Sequence, residues 1–300
     1  MIQKDVERRA LIMSSIVNLI MAVAGIWVFM VTNIQALFLD GVFSLIGFAS
    51  AVAAVIISKI SQKRTGTYPD GLYFMEPLYA ICKSLLTLAL LVISLQATAV
   101  TAYDYFYHGI GEAMNISPVL PYTIGMVILC FGLSIYNKYQ NKKINNTSTI
   151  LSAESKSNVI DGLLSLGVGA GIVLLYFIDI NGPLGFLHYT GDFFITAVLF
   201  LLSLKVPVVV LIQSFIELSN GVTKDQDVKK HVSKALNTHL GTIIEKKKYD
   251  IFKVGMLIKV RISLPEKIKK ETLEEVTIAR ERIMNELNGV YDNVEITFEY

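Results

Sequence analysis

An aspartate stands inside each of two otherwise apolar stretches, Asp40 in ALFLDGVFSLIGF (36–48) and Asp161 in NVIDGLLSLGVGAGIV (158–173). An ionised carboxylate within a bilayer costs about 2.5–3.5 kcal/mol on insertion scales, so it is expected to face protein or water and to have a partner. Helical spacing puts Asp40, Phe43 or Ser44, and Gly47 on one stripe, and Glu154, Ser157, Asn158 and Asp161 on another. Two such stripes can line one cavity, with Asp161, Asp40, Ser157, Asn158 and Ser44 as oxygen ligands for a cation. The competing reading is an ion pair that only fixes helix packing. Lys83 in AICKSLL and Lys205 each supply one cation per half of the chain, within reach of Asp40 or Asp161.

The surroundings decide what these aspartates mean. Of the 300 residues, 53% are hydrophobic and 17% charged, and the mean hydropathy is +0.54. Soluble chains carry about 25% charged residues, so this composition belongs to an integral membrane protein. Apolar runs at about 11–31, 35–58, 78–102, 119–136, 157–178 and 193–216 predict six spans of roughly 20 residues each. Lys and Arg cluster before the first run and after the second, fourth and sixth, whereas 32–34, 103–118 and 179–192 contain none. Positive charge marks the inner side, so both termini are expected in the cytoplasm and the protein in an inner or plasma membrane. The net charge of +2 is explained by this orientation and gives no nucleic-acid surface.

After Ser219 the composition becomes that of a soluble domain. The expected division is a six-span transmembrane domain over 1–219 and a cytosolic domain over 220–300. Within the latter, 224–240 reads as a helix, 249–263 as a strand pair around Gly255, and 266–287 as a helix with Ile268, Leu273, Val276, Ile283 and Leu287 on one face. VEITFEY alternates as a strand. The order α-β-β-α-β predicts a small open-faced α+β sandwich. In the membrane part, Leu39–Leu45 (LDGVFSL) aligns with Ile160–Leu166 (IDGLLSL), at the second span of each three-span half. An odd number of spans inverts the second half, and inverted repeats tend to place a transport site near the midplane between halves.

Six spans, ALFLDGVFSL, YPDGLYFMEPLYA, ESKSNVIDGLLSLGV and the α-β-β-α-β tail together resemble the cation diffusion facilitator family over nearly the whole chain. The resemblance implies efflux of a divalent metal from the cytoplasm in exchange for protons, by a homodimer whose cytosolic metallochaperone-like (ferredoxin-like) domains pair and can bind regulatory metal. It implies no tightly bound cofactor. Laid on the family's four-ligand motif, the second-span positions hold Phe43 and Gly47 and the fifth-span positions Ser157 and Asp161. One strong ligand of four does not build the tetrahedral site of zinc. A site shifted along the stripes to oxygen donors suits Mn²⁺, Fe²⁺, Co²⁺ or Mg²⁺ better. Two other readings stay open: a different cargo, with Lys83 in the place of a metal, or a transport-inactive dimer that senses or binds a partner through its cytosolic domain.

Further polar residues have narrower expectations. Glu76, before Pro77, sits where a carboxylate favours the positive end of the third helix, with gating as the alternative. Glu154 and Lys83 are ion-pair or gating candidates. Glu217 lies where the resembled family has an acidic residue joining its membrane and soluble parts. In the loop before the third span, Tyr68 and Leu72 stand where many relatives have histidine, leaving Asp70 as the carboxylate. His231 and His239, eight apart on one helix, are weak candidates for a cytosolic metal site. Pro207 should kink the sixth span. Cys82 and Cys130 make neither a disulfide framework nor a metal motif. Ser/His/Asp arrangements, phosphate-binding glycine loops and cofactor motifs are absent from the sequence. The enzyme alternative is an intramembrane aspartyl protease, which requires two carboxylates about 3 Å apart sharing a proton.

Overall fold

A computed structural model describes residues 2–32, 35–111, 119–240, 248–263 and 270–299. The membrane part consists of α1 (Ile2–Thr32), α2 (Gln35–Ile60), α3 (Met75–His108), α4 (Val119–Lys143), α5 (Thr149–Tyr176), α6 (Leu187–Ser203) and α7 (Lys205–Leu218). Apolar segments adopt helix because a bilayer offers no water to satisfy backbone N–H and C=O groups. Among the described residues, four stretches are long and apolar enough to cross a membrane, Gln3–Met30, Met75–His108, Leu120–Lys143 and Leu187–Leu218, and α2 counts as a shorter apolar helix, Ser44–Ile60. The first half of α5 carries Glu154, Lys156 and Asp161.

The helices associate as α1 with α2, α4 with α5, and α3 with both α6 and α7. At the first of these crossings a Cβ on Gly25 would lie 2.6 Å from the Cα of Gly41, so the two backbones touch. Close backbone approach of this kind is how small residues hold membrane helices together. Gly162, in the equivalent place after Asp161, faces Cys130 and Phe131 of α4. Each glycine of the repeated Asp-Gly pair therefore packs on the preceding helix of its own half. The last helix is divided at Leu204, where backbone angles remain helical. Pro207 has no N–H to offer the carbonyl four residues earlier, which is that of Ser203.

The C-terminal part contains α8 (Gln226–Leu240), β1 (Lys248–Val254), β2 (Leu257–Ser263), α9 (Lys270–Asn288) and β3 (Val294–Glu299). Strand β1 pairs antiparallel with β2, and β2 pairs parallel with β3 across the α9 connection. Val228, Val232, Leu236, Ile258, Val260, Ile283 and Ile296 share one core between the two helices and one sheet face. The other face carries Lys259, Arg261 and Glu299, with Arg261 2.9 Å from Glu299. The expected element order and open-faced sandwich are present. Val276, Ile283 and Leu287 of the expected α9 stripe are buried, whereas Ile268 and the side chain of Leu273 lie outside the described residues.

The tip of the β1–β2 hairpin turns on Gly255, whose φ of +60° suits a tight hairpin that requires glycine at its first central position. Val254, Met256 and Leu257 around that tip pack with Leu11, Tyr73, Ile144, Ile150 and Leu151. The C-terminal sandwich is thereby seated on the ends of the helices.

Candidate functional site

A cavity of about 70 Å³ lies between α1, α2, α3, α4 and α5. Since one water needs roughly 10–15 Å³ on this measure, several fit. Ser44 of α2 and Ser157 and Asp161 of α5 all line it, so three of the five expected ligands converge. Gly47 lines it too, one turn from Ser44. Asn158 does not: it is buried elsewhere on α5, and among the described residues its Nδ2 has no hydrogen-bond partner. The stripe is narrower than its spacing suggests, because residues 157 and 158 point about 100° apart on a helix of 3.6 residues per turn. The side chains of Asp40 and Phe43 lie outside the described residues; the backbone of both belongs to α2.

Three polar residues not expected as ligands from the sequence, Asn18, Thr87 and Ser165, also line it. Asn18 of α1 is buried and reaches within 3.7 Å of where a Cβ on Gly47 would stand. Thr87 of α3 has its hydroxyl 3.5 Å from that of Ser157. Asn18 was legible as the one amide within LIMSSIVNLIMAVAGI; Thr87 had no such signal, since its importance comes from the α3–α5 crossing. Met21, Met126 and Cys130 also line the cavity, and the Cys130 sulfur is 3.7 Å from that of Met21. The oxygen-only donor set expected from the sequence thus has a sulfur-bearing wall beside it.

Lys83 and Glu154, both ion-pair candidates in the sequence, meet: the ammonium is 3.3 Å from the Glu154 carboxylate. Both residues are buried, and Tyr79 donates its hydroxyl to the same Glu154 carboxylate. Tyr79 is in turn 3.0 Å from Ser50 of α2. Lys83 also lines the cavity that contains Asp161. Lys205 is exposed at the start of α7 and supplies no matching buried pair in the second half.

A second buried network lies where the membrane helices meet the hairpin. Glu7, fully buried, accepts bonds from Lys4 at 2.5 Å, Ser58 at 3.0 Å and Ser148 at 3.0 Å. Lys4 also reaches Glu76 at 2.6 Å. Glu76 does occupy the first turn of α3, but the helix has no side-chain cap. Its carboxylate serves Lys4 instead, because burial makes a charged partner worth more than a helix dipole. Burial beside Glu76 pushes the Tyr73 phenol up to about 12. Glu217 accepts from Thr149 at 2.7 Å and from the Gly255 amide at 3.3 Å, with Lys253 at 3.7 Å. Asp70 is held by Lys259 of β2 at 2.5 Å.

The two histidines of the C-terminal sandwich diverge. His231 Nδ1 is 2.8 Å from the Tyr291 hydroxyl, and His239 Nε2 is 2.8 Å from Glu286. Among the described residues no group of three or more His, Cys, Asp or Glu side chains converges to hold a metal.

Apolar helices around a polar, carboxylate-bearing cavity define an integral membrane protein able to admit a cation. The model of the cation efflux transmembrane domain matches residues 11–219, and the chain belongs to that family, whose members are transporters that move cations across membranes. A comparison with curated proteins found no match.

Proposed function

We propose that this protein is a proton-coupled exporter of a divalent metal cation, which it takes from the cytoplasm and binds in the cavity at Asp161. The observation that carries the reading is the meeting of Ser44 from α2 with Ser157 and Asp161 from α5 around one cavity with room for several waters. These are the two helices that bear the repeated Asp-Gly pair. Asp40, one helical turn before Ser44, is the second carboxylate of the proposal. Protonation of the carboxylates would return the carrier without cargo. Six spans in two inverted halves, cytoplasmic termini, a homodimer and a cell membrane location belong to the same proposal. The matching contacts of Gly41 on α1 and Gly162 on α4 support the repeat. Hydroxyl, amide and carboxylate oxygens favour Mn²⁺, Fe²⁺, Co²⁺ or Mg²⁺ over zinc.

Uptake into proteoliposomes under an imposed pH gradient tests this, with Mn²⁺, Fe²⁺, Co²⁺, Mg²⁺ and Zn²⁺ in parallel for wild type, Asp161→Asn and Asp40→Asn. Flux of one ion, abolished by both substitutions, is the expected result. Absence of flux for every ion, in protein shown to be folded, would overturn the proposal.

A further inference from the structure

We propose that Lys83 is the residue that sets the cation affinity of the cavity: a resident cation that occupies Glu154 and opposes the cargo at Asp161. The inference rests on the reading of Asp161 as the cargo site and goes beyond it by naming what limits that site. Glu154 and Asp161 are seven residues apart on α5, two turns along one face and about 10 Å by the rise of a helix. Lys83 is bonded to the first and lines the cavity of the second.

The charged and titratable neighbours of Lys83 divide by helix. From α5 come Glu154, Asp161 across the cavity, and Lys156, which lines a small adjoining cavity with Lys83. From its own helix comes Tyr79, bonded to Glu154. The α7 residues at that adjoining cavity, Val206, Pro207 and Val210, carry no charge. Among the described residues at the cavity, Glu154, Asp161 and Lys83 sum to one negative charge, with Lys156 turned to the adjoining space; Asp40, the second carboxylate of the proposed site, adds the same charge to wild type and to every variant below. A divalent ion entering there meets the Asp161 carboxylate and a fixed ammonium. In a low-dielectric interior each such charge is weakly screened, so removing the ammonium should strengthen divalent binding more than any change of hydroxyl donors.

A double-mutant cycle on the full-length protein in detergent tests this, with Mn²⁺ binding measured by titration calorimetry and folding by size-exclusion profile and melting temperature. Lys83→Met should bind Mn²⁺ at least tenfold more tightly than wild type, and Lys83→Gln should do the same if the methionine variant fails to fold. Glu154→Gln, which releases Lys83 toward Asp161, should bind about tenfold more weakly. The double variant Lys83→Met with Glu154→Gln restores the wild-type net charge and should return to within about threefold of wild type. Folded Lys83→Met and Lys83→Gln proteins with wild-type affinity would reduce the pair to a packing device and overturn the inference. Asp161→Asn separates the two readings. If it abolishes Mn²⁺ binding while the Lys83 variants change nothing, only the role of Lys83 fails. If neither wild type nor the Lys83 variants bind Mn²⁺, both fail.

Discussion

The backbone N–H of Gly255, at the tip of the β1–β2 hairpin, donates to the carboxylate of Glu217 at the end of α7 across 3.3 Å. On its other side, a Cβ on residue 255 would stand 2.6 Å from Glu76 Oε2 and 2.9 Å from the Tyr73 carbonyl. The hairpin tip is thus held between two carboxylates that terminate different membrane helices. Glycine there supplies both the positive φ and the space.

Gly255→Val should lift the hairpin from its seat. Overpacking typically costs about 1–3 kcal/mol, with the strain of a β-branched residue at positive φ added. Hydrogen exchange should rise at 254–257 and at the start of α3 while β3 and α9 stay protected. Unchanged exchange at the hairpin would show that the docking does not depend on this close approach.

Lys4→Met removes the cation shared by Glu7 and Glu76, both fully buried. Breaking a buried ion pair by deleting one partner costs about 3–5 kcal/mol. A large drop in melting temperature is expected, partly recovered by adding Glu76→Gln, which removes one of the stranded charges. Arg8→Met, whose salt bridge to Asp5 is exposed, should change the melting temperature little, as exposed pairs are worth about 0–1 kcal/mol.

Gly25→Val should separate α1 from α2, since its side chain would meet the Gly41 backbone rather than a side chain that can turn aside. Loss of folded, monodisperse protein in detergent is the expected outcome. Gly125→Ala, on α4 with open space around it, serves as the matched control and should behave as wild type.

His231→Phe removes the hydrogen bond between the imidazole and the Tyr291 hydroxyl, worth about 1 kcal/mol. Tyr291 is almost fully buried, and that burial, with the carboxylates of Asp225 and Asp227, pushes its phenol above the ordinary value. Thermal melts followed by exchange at α8 should show a small local destabilisation, and Mn²⁺ flux should be unaffected. A variant that lost flux with its fold intact would assign His231 a part in transport that its hydrogen bond does not indicate.

Much of this arrangement follows from local pattern. Hydrophobic periodicity and composition set the helical membrane part and the α-β-β-α-β order, because each depends on residues close together in the chain. The repeated Asp-Gly pair marked α2 and α5 as the helices of interest, and Ser44, Ser157 and Asp161 do meet at one cavity. Partnership was decided only by the tertiary structure. Lys83 pairs with Glu154, Asn158 turns away from the cavity that Asn18 and Thr87 join, and Glu7, unmarked in the sequence, becomes a buried hub. A side chain's face follows from helical spacing, but what it meets follows from where two helices cross. Crossings are fixed by contacts such as Gly25 on Gly41, which join residues far apart in the chain and leave no period in it.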